Sequence, residues 1–128
     1  MSLQKRSDLV LSFATILFAN GQATDQTISA TERLGRALAL RATIIPRWGE
    51  LELQAADAGA ERSTQIATDP SGVDMDRVAS AMRVVGDVES GRSSTAAASK
   101  TIAAIAKAPP APSWLFALAA ATAPWRSR

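Results

Sequence analysis

The apolar residues of this chain follow two different spacings, and the change from one to the other limits the fold. In the stretch RATIIPRWGELELQAAD, residues 41–57, the tripeptide Thr-Ile-Ile occupies residues 43–45, and Leu51 and Leu53 alternate with polar residues. β-Branched residues and a period of two are typical of strands. We therefore expect two short antiparallel strands in the middle of the chain.

The segment between these two strands has the composition of a turn. Pro46 and Gly49 bracket Trp48, and a proline cannot donate a hydrogen bond to a strand ladder. We expect Pro46 at a sheet edge or in the turn, and Gly49 in the turn itself. A third strand is expected in residues 61–69, after a loop at residues 57–60.

Before the strands, the apolar residues follow helical spacing. A first helix is expected over residues 8–19, with Ser7 as N-cap and Gly21 just beyond its end. A second helix is expected from residue 24 or 25 to about residue 40. The apolar face of the first helix consists of Leu9, Phe13, Ile16 and Leu17.

The N-terminus has an alternative interpretation as a secretory signal peptide, because Lys5 and Arg6 precede an apolar run. Asp8 directly follows this basic pair, and Ser12 and Thr15 interrupt the run. These polar residues favour an ordinary core helix.

Helical spacing returns after the strands. A third helix is expected to begin after Asp74 as N-cap and to end at Gly91. A fourth is expected over residues 94–108, capped by Ser93 or Ser94 and terminated by the prolines that follow. The expected buried face of the third helix consists of Met75, Val78, Met82 and Val85.

The expected order is two helices, a small antiparallel sheet of two or three strands, two more helices and a short apolar C-terminal helix. This is an α+β arrangement. We expect one α+β domain over residues 1–108, a Pro-rich linker over residues 109–113, and a separate apolar segment over residues 114–128. In that segment the apolar side chains that would face a membrane are Trp114, Leu115, Phe116 and Leu118.

The composition excludes several classes of site. The chain has no cysteine and no histidine, so it has no disulfide, Cys/His zinc site, thiol nucleophile or Ser-His-Asp triad. It has no Gly-rich phosphate loop. The formal net charge is only +2, and the arginines are scattered among acidic residues, which argues against nucleic-acid binding. We expect no cofactor and no metal.

Few residues remain as candidates for chemistry or contact. Glu50 and Glu52 should lie on one face of a strand, where two carboxylates could serve acid/base work or a divalent ion, or form a solvated face. Trp48 is either a platform for a ligand or a residue that closes one end of the core. Thr24 is a further candidate contact. Ser2 and Lys5 form an S-x-x-K string that is best explained by chance.

Four stretches, in their order, carry a family resemblance: LFANGQATDQTISATERLGRALAL, TIIPRWGELELQ, GVDMDRVASAMRVVGDVESGRSSTAAASKTIAAI and APPAPSWLFALAAA. Together they resemble the N-terminal part of the threonine/serine exporter family, over about residues 9–121. The resemblance implies a membrane protein that exports small amino acids, in which this domain precedes the first membrane span. The run from Trp114 to Trp125 looks like the start of a span, but it has about a dozen residues where about 20 are needed.

The resemblance favours an accessory N-terminal domain of an exporter that does not transport by itself. It implies a bacterial inner membrane location, a domain on the cytoplasmic side, and a separate membrane subunit or missing membrane half as partner. One alternative is a stand-alone soluble interaction or dimerisation module, with the apolar C-terminal helix buried in the fold or in a homo-oligomer interface. Another alternative, which we disfavour, is an enzyme built on Glu50, Glu52 and Asp57.

Overall fold

The computed structural model describes residues 2–68 and 72–107, and within these residues the expected α+β order is confirmed. Two helices precede a three-stranded antiparallel sheet, and two helices follow it. The linker and the apolar C-terminal segment lie outside the described residues. The elements are α1 (Leu3–Ala19), α2 (Thr24–Ala37), β1 (Arg41–Arg47), β2 (Glu50–Ala56), β3 (Glu61–Ala67), α3 (Met75–Glu89) and α4 (Thr95–Lys107).

The sheet has the strand order β1-β2-β3, with β2 at its centre. In β1, Pro46 pairs with Leu51 of β2, so the proline lies on an edge strand, as expected from its missing N–H. Leu51 and Leu53 are fully buried against the helices, whereas Gln54 and most side chains of the other face are exposed. One face of the sheet therefore builds the core and the other is open.

Helix α1 is the centre of the core, and its apolar spacing explains why. It contacts the sheet, α2, α3 and α4, and Val10, Phe13 and Leu17 are completely buried. The helix begins earlier than expected: Ser2, and not Ser7, is the N-cap, and the Ser2 hydroxyl accepts a hydrogen bond from the Lys5 N–H. Ser7 is buried within the helix, because an additional N-terminal turn packs Leu3 against the core.

The connection from α2 to β1 is compact because of a glycine. A Cβ on Gly35 would lie 2.7 Å from the Cβ of Ala42, so the last turn of α2 approaches β1 more closely than any other residue would allow. The Leu40 N–H donates to the Gly35 carbonyl, and Ala39 has a φ of 60° in the tight turn between them.

Local signals at the other helix ends are confirmed. Gly21 and Gly91 follow the C-caps of α1 and α3 with φ values of 98° and 79°. The Asp74 side chain caps α3 by accepting from the Arg77 N–H, and the Ser94 hydroxyl accepts from the Ala97 N–H at the start of α4.

The prediction of the buried face of α3 is wrong for Met75, the first residue of the helix. Met75 is exposed, because it lies at the first residue of the helix, beyond the edge of the core. Val78 and Val85 are buried, and Ala81 and Val84 complete the buried face.

Two ends of the molecule can be defined from α1. At the N-terminal end of α1, Arg6 donates to the Leu38 carbonyl and to Asp57, which follows β2. The β1–β2 turn at Trp48 and Gly49 is at the other end of β2. We call that second end, together with the C-terminal end of α1, the hairpin end.

Candidate functional site

The open face of the sheet carries a cluster of polar side chains around Glu52. Residues paired across antiparallel strands point to the same face, and Glu52 pairs with Ile45 on one side and Gln65 on the other. Although the face is open, Glu52 is only 7 % exposed. Its neighbours cover it, and with Glu52 they form what we call the Glu52 cluster: Arg47, Glu52, Gln54, Ser63 and Gln65.

Both carboxylate oxygens of Glu52 accept hydrogen bonds. Arg47 donates to Oε1 from Nε at 3.2 Å and from Nη2 at 2.9 Å, and Gln65 Nε2 donates to the same oxygen at 3.3 Å. Gln54 Nε2 donates to Oε2 at 3.0 Å, and Ser63 Oγ lies 3.3 Å from Oε2. A carboxylate has about four lone-pair sites, so the cluster uses them all.

These hydrogen bonds decide the protonation state of Glu52. Donation from Gln54, then Gln65 and Arg47, lowers the pKa of the Glu52 carboxyl, and desolvation opposes this only in part. The carboxylate is therefore ionised at neutral pH and already saturated with donors. Such a group is a poor general base, because a base needs a free lone pair and a pKa near the working pH.

The second predicted carboxylate is separate from this network. Glu50 lies on the same face, paired with Arg47 and Ala67 at the start of β2, but makes no side-chain hydrogen bond among the residues that the structure describes. Over residues 2–68 and 72–107, no group of three acidic residues could hold a metal ion. Because the donors around Glu52 leave Glu50 out, the geometry favours a structural polar surface over an acid/base pair.

Among the residues that the structure describes, none packs over Trp48. It is the first residue of the two-residue β1–β2 turn and is 103 % exposed. Gly49 has a φ of 76°, so the turn is confirmed. The expectation that Trp48 closes the core is wrong, because the tight turn carries its indole beyond the end of the sheet.

The remaining predicted residues are not brought to the Glu52 cluster. Thr24 is exposed as the first residue of α2, which packs on the other face of the sheet. Asp57 accepts from the backbone N–H of Gly59 and Ala60 and from Arg6 at 2.8 Å. The Gly59 N–H in particular lowers the pKa of Asp57. Asp57 therefore holds the β2–β3 turn and does not act with the glutamates.

A shallow depression of about 610 Å³ lies beside the Glu52 cluster, toward the end of the sheet away from Trp48. Polar side chains make up most of its lining, and Gln54 and Ser63 also belong to the cluster. Its β1 and β3 residues were not among the site residues predicted from the sequence. The segment ERSTQIA is polar at its first five positions, so it has no alternation that would mark them. The lining consists of Arg41, Thr43, Gln54, Ala55, Ala56, Glu61, Arg62 and Ser63.

Comparison with known families gives what the geometry of the site does not. The family model described as "Putative threonine/serine exporter" matches residues 8–125, nearly the whole chain. The chain belongs to the threonine/serine exporter family. The resemblance found in the sequence is thus confirmed. Comparisons with curated proteins and with solved structures give no match.

Membership of the exporter family relates the chain to amino-acid transport and to membranes. It gives no support to the enzyme alternative, since the family is one of transporters. Within residues 2–68 and 72–107, no helix is long and apolar enough to cross a bilayer. The longest, α1, has 17 residues, about 25 Å at 1.5 Å per residue, and its apolar side chains are inside the core.

Proposed function

We propose that this chain is the accessory N-terminal domain of an exporter of threonine and serine, and that it does not transport by itself. The observation that carries this proposal is the family match over residues 8–125. The match covers both the folded α+β domain and the apolar C-terminal segment. The domain therefore serves the exporter at the membrane, by docking to or gating its membrane part.

The chemistry of the described residues supports an accessory role. The Glu52 carboxylate is saturated by neighbours, and the core around α1 is filled by apolar side chains. A path for a zwitterionic amino acid needs polar groups inside a bundle of spanning helices. The membrane part, either a separate subunit or the other half of the exporter, has to supply that path.

Transport competence can be tested with the purified chain. Reconstituted alone into liposomes, it should release threonine and serine no faster than protein-free liposomes. Liposomes containing a complete exporter of the family serve as the positive control. A flux of either amino acid through the chain alone would contradict the accessory role.

We further propose that the domain lies on the cytoplasmic side of a bacterial inner membrane. Because the chain has no cysteine, A58C introduces a single thiol into the exposed β2–β3 turn. A membrane-impermeant maleimide should label this thiol in opened membranes but not in intact spheroplasts. Labelling in intact spheroplasts would place the domain outside.

The second candidate function is a soluble interaction module. It is favoured by the exposed apolar side chains of the hairpin end, which an apolar C-terminal helix or a second copy of the chain could cover. This alternative requires a monodisperse oligomer or monomer without detergent. The exporter proposal requires that the full chain sediments with membranes and needs detergent for release, and that L115S/F116S/L118S frees it.

A further inference from the structure

The hairpin end exposes four large apolar side chains from three separate segments. Trp48 is 103 % exposed in the β1–β2 turn, and Ile66 is 39 % exposed near the end of β3. Val73 and Met75, at the start of α3, are 78 % and 47 % exposed. These are the large apolar side chains that the described residues leave open to solvent, and we call them the apolar tip.

Hydrogen bonds and contacts show that these segments share one end. The Thr68 N–H donates to the Gly49 carbonyl, which places the end of β3 beside the Trp48 turn. The Asp74 N–H donates to the Asn20 carbonyl at the C-terminal end of α1. Val73 packs against Gly21, where a Cβ would be 3.1 Å from its Cγ2.

Helix α4 runs toward the same end of the molecule. Helix α3 starts beside the C-terminal end of α1, so it runs back along α1. The short connection between α3 and α4 makes them an antiparallel pair, and α4 therefore runs parallel to α1, with Ser99 and Ile102 beside Leu9 and Ser12. From Lys107 the sequence continues for another 21 residues, of which residues 114–125 are mostly apolar.

We infer that the apolar tip contacts the lipid bilayer, with Trp48 inserted at the level of the headgroups. The inference rests on the membrane association in the proposed function and adds to it the orientation of the domain. Tryptophan favours the membrane interface because its ring is large and apolar while its N–H remains hydrated. A tryptophan at the tip of a protruding two-residue turn can enter that layer without any change of fold.

The charges near the apolar tip define which lipid surface it fits. Arg47 is the register neighbour of Glu50 and forms an ion pair with Glu52. Arg77 pairs with Asp74 at 3.5 Å. With both signs present, no strong attraction to anionic lipid is expected. The tip should therefore bind vesicles of neutral phosphatidylcholine, and added salt should change this binding little.

Single-tryptophan variants of the full chain test the inference. W114F/W125F leaves Trp48 as the only tryptophan, and W48F/W125F leaves Trp114. With phosphatidylcholine vesicles that contain brominated acyl chains, Trp48 emission should shift to shorter wavelength and be quenched. Before vesicles are added, Trp48 should be fully accessible to acrylamide.

The outcomes separate this inference from the proposed function. If Trp114 is quenched by the brominated lipid and Trp48 is not, the orientation is wrong and membrane association stands. If neither is quenched, both are wrong. If Trp48 is already shielded from acrylamide in the absence of vesicles, the C-terminal segment or a second copy covers the tip, and the inference is overturned.

A partition experiment gives the size of the effect. W48S should lower the vesicle partition coefficient of the full chain by at least about tenfold, since a half-inserted indole removes much apolar area from water. The control is A58S, which replaces an apolar by a hydroxyl side chain in the turn at the other end and should leave partition unchanged. Equal partition of both variants would contradict the inference.

Discussion

The carboxylate of Glu52 is ionised on the open face of a sheet of three strands, and donors on neighbouring side chains stabilise it. Gln54, Ser63 and Gln65 present donors from β2 and β3, and Arg47 adds a cation from β1. The cluster therefore links all three strands through one side chain. This role differs both from the solvated strand face and from the acid/base pair that the two glutamates could form.

The pH dependence of stability follows from the lowered pKa of Glu52. The Glu52 carboxyl binds a proton at higher pH in the unfolded chain than in the folded one. Its contribution to the free energy of unfolding is therefore complete above the pKa in the unfolded chain, about 4.3. It is lost as the pH falls through the lower folded pKa. E52Q should therefore unfold at lower temperature than the parent at pH 7, and the difference should shrink at pH 3.

The matched control for this measurement is E50Q. Glu50 lies on the same strand face but has no side-chain hydrogen bond among the described residues, so E50Q should follow the parent curve. Thermal unfolding by circular dichroism at several pH values compares the three proteins. A constant difference between E52Q and the parent from pH 7 to pH 3 would contradict the linkage to this carboxylate.

At the scale of elements, a helix end could be predicted from the sequence where a single residue at that end marks it. Asp74, Gly21 and Gly91 lie directly at helix ends, and their chemistry suffices to mark them. The predicted start of α1, with Ser7 as N-cap, was wrong. Ser2 and Ser7 are equally good caps locally, and the packing of Leu3 against the core decides between them. The partners of Glu52 depend on the register between strands, which one strand's sequence does not contain.

Replacing either of the two glycines that lie inside helices, Gly35 and Gly86, by alanine should change the stability of the fold in opposite directions. In G35A the new Cβ would lie 2.7 Å from Ala42, and relief of this overlap should lower the free energy of unfolding by about 1–3 kcal/mol. In G86A, on α3, the new Cβ meets nothing within 4 Å. It should raise that free energy by about 0.5–1 kcal/mol, because alanine is the better helix former.

Urea unfolding of the two glycine variants and the parent measures both changes. The urea concentration at the midpoint should be highest for G86A, lower for the parent and lowest for G35A. The slope of the unfolding free energy against urea concentration should be equal in all three. If G35A is as stable as G86A, the close approach of α2 to β1 is not a constraint on the fold.

At the scale of the whole molecule, α1 joins the sheet on one side to α3 and α4 on the other. The helices of the second pair do not contribute a separate core, because their buried residues belong to the same apolar cluster as α1. The fold could be predicted to this level from the two spacings in the sequence. Its exposed apolar tip could not, since exposure depends on how far each turn extends beyond the core.

One shared core predicts cooperative unfolding and a strong dependence on position along α1. Phe13 is completely buried, while Phe18, on the same helix, is half-buried at the edge of the cluster. F13A should lower the free energy of unfolding by about 3–5 kcal/mol, a large share of the stability of a domain of this size. F18A removes the same atoms but should lower the free energy of unfolding clearly less, because water already reaches that ring.

Helical circular dichroism and hydrogen exchange of the β2 amides should report one transition in each variant. If F13A loses the protection of β2 while α3 and α4 stay folded, the sheet and the second helix pair are separate units, and α1 does not join them.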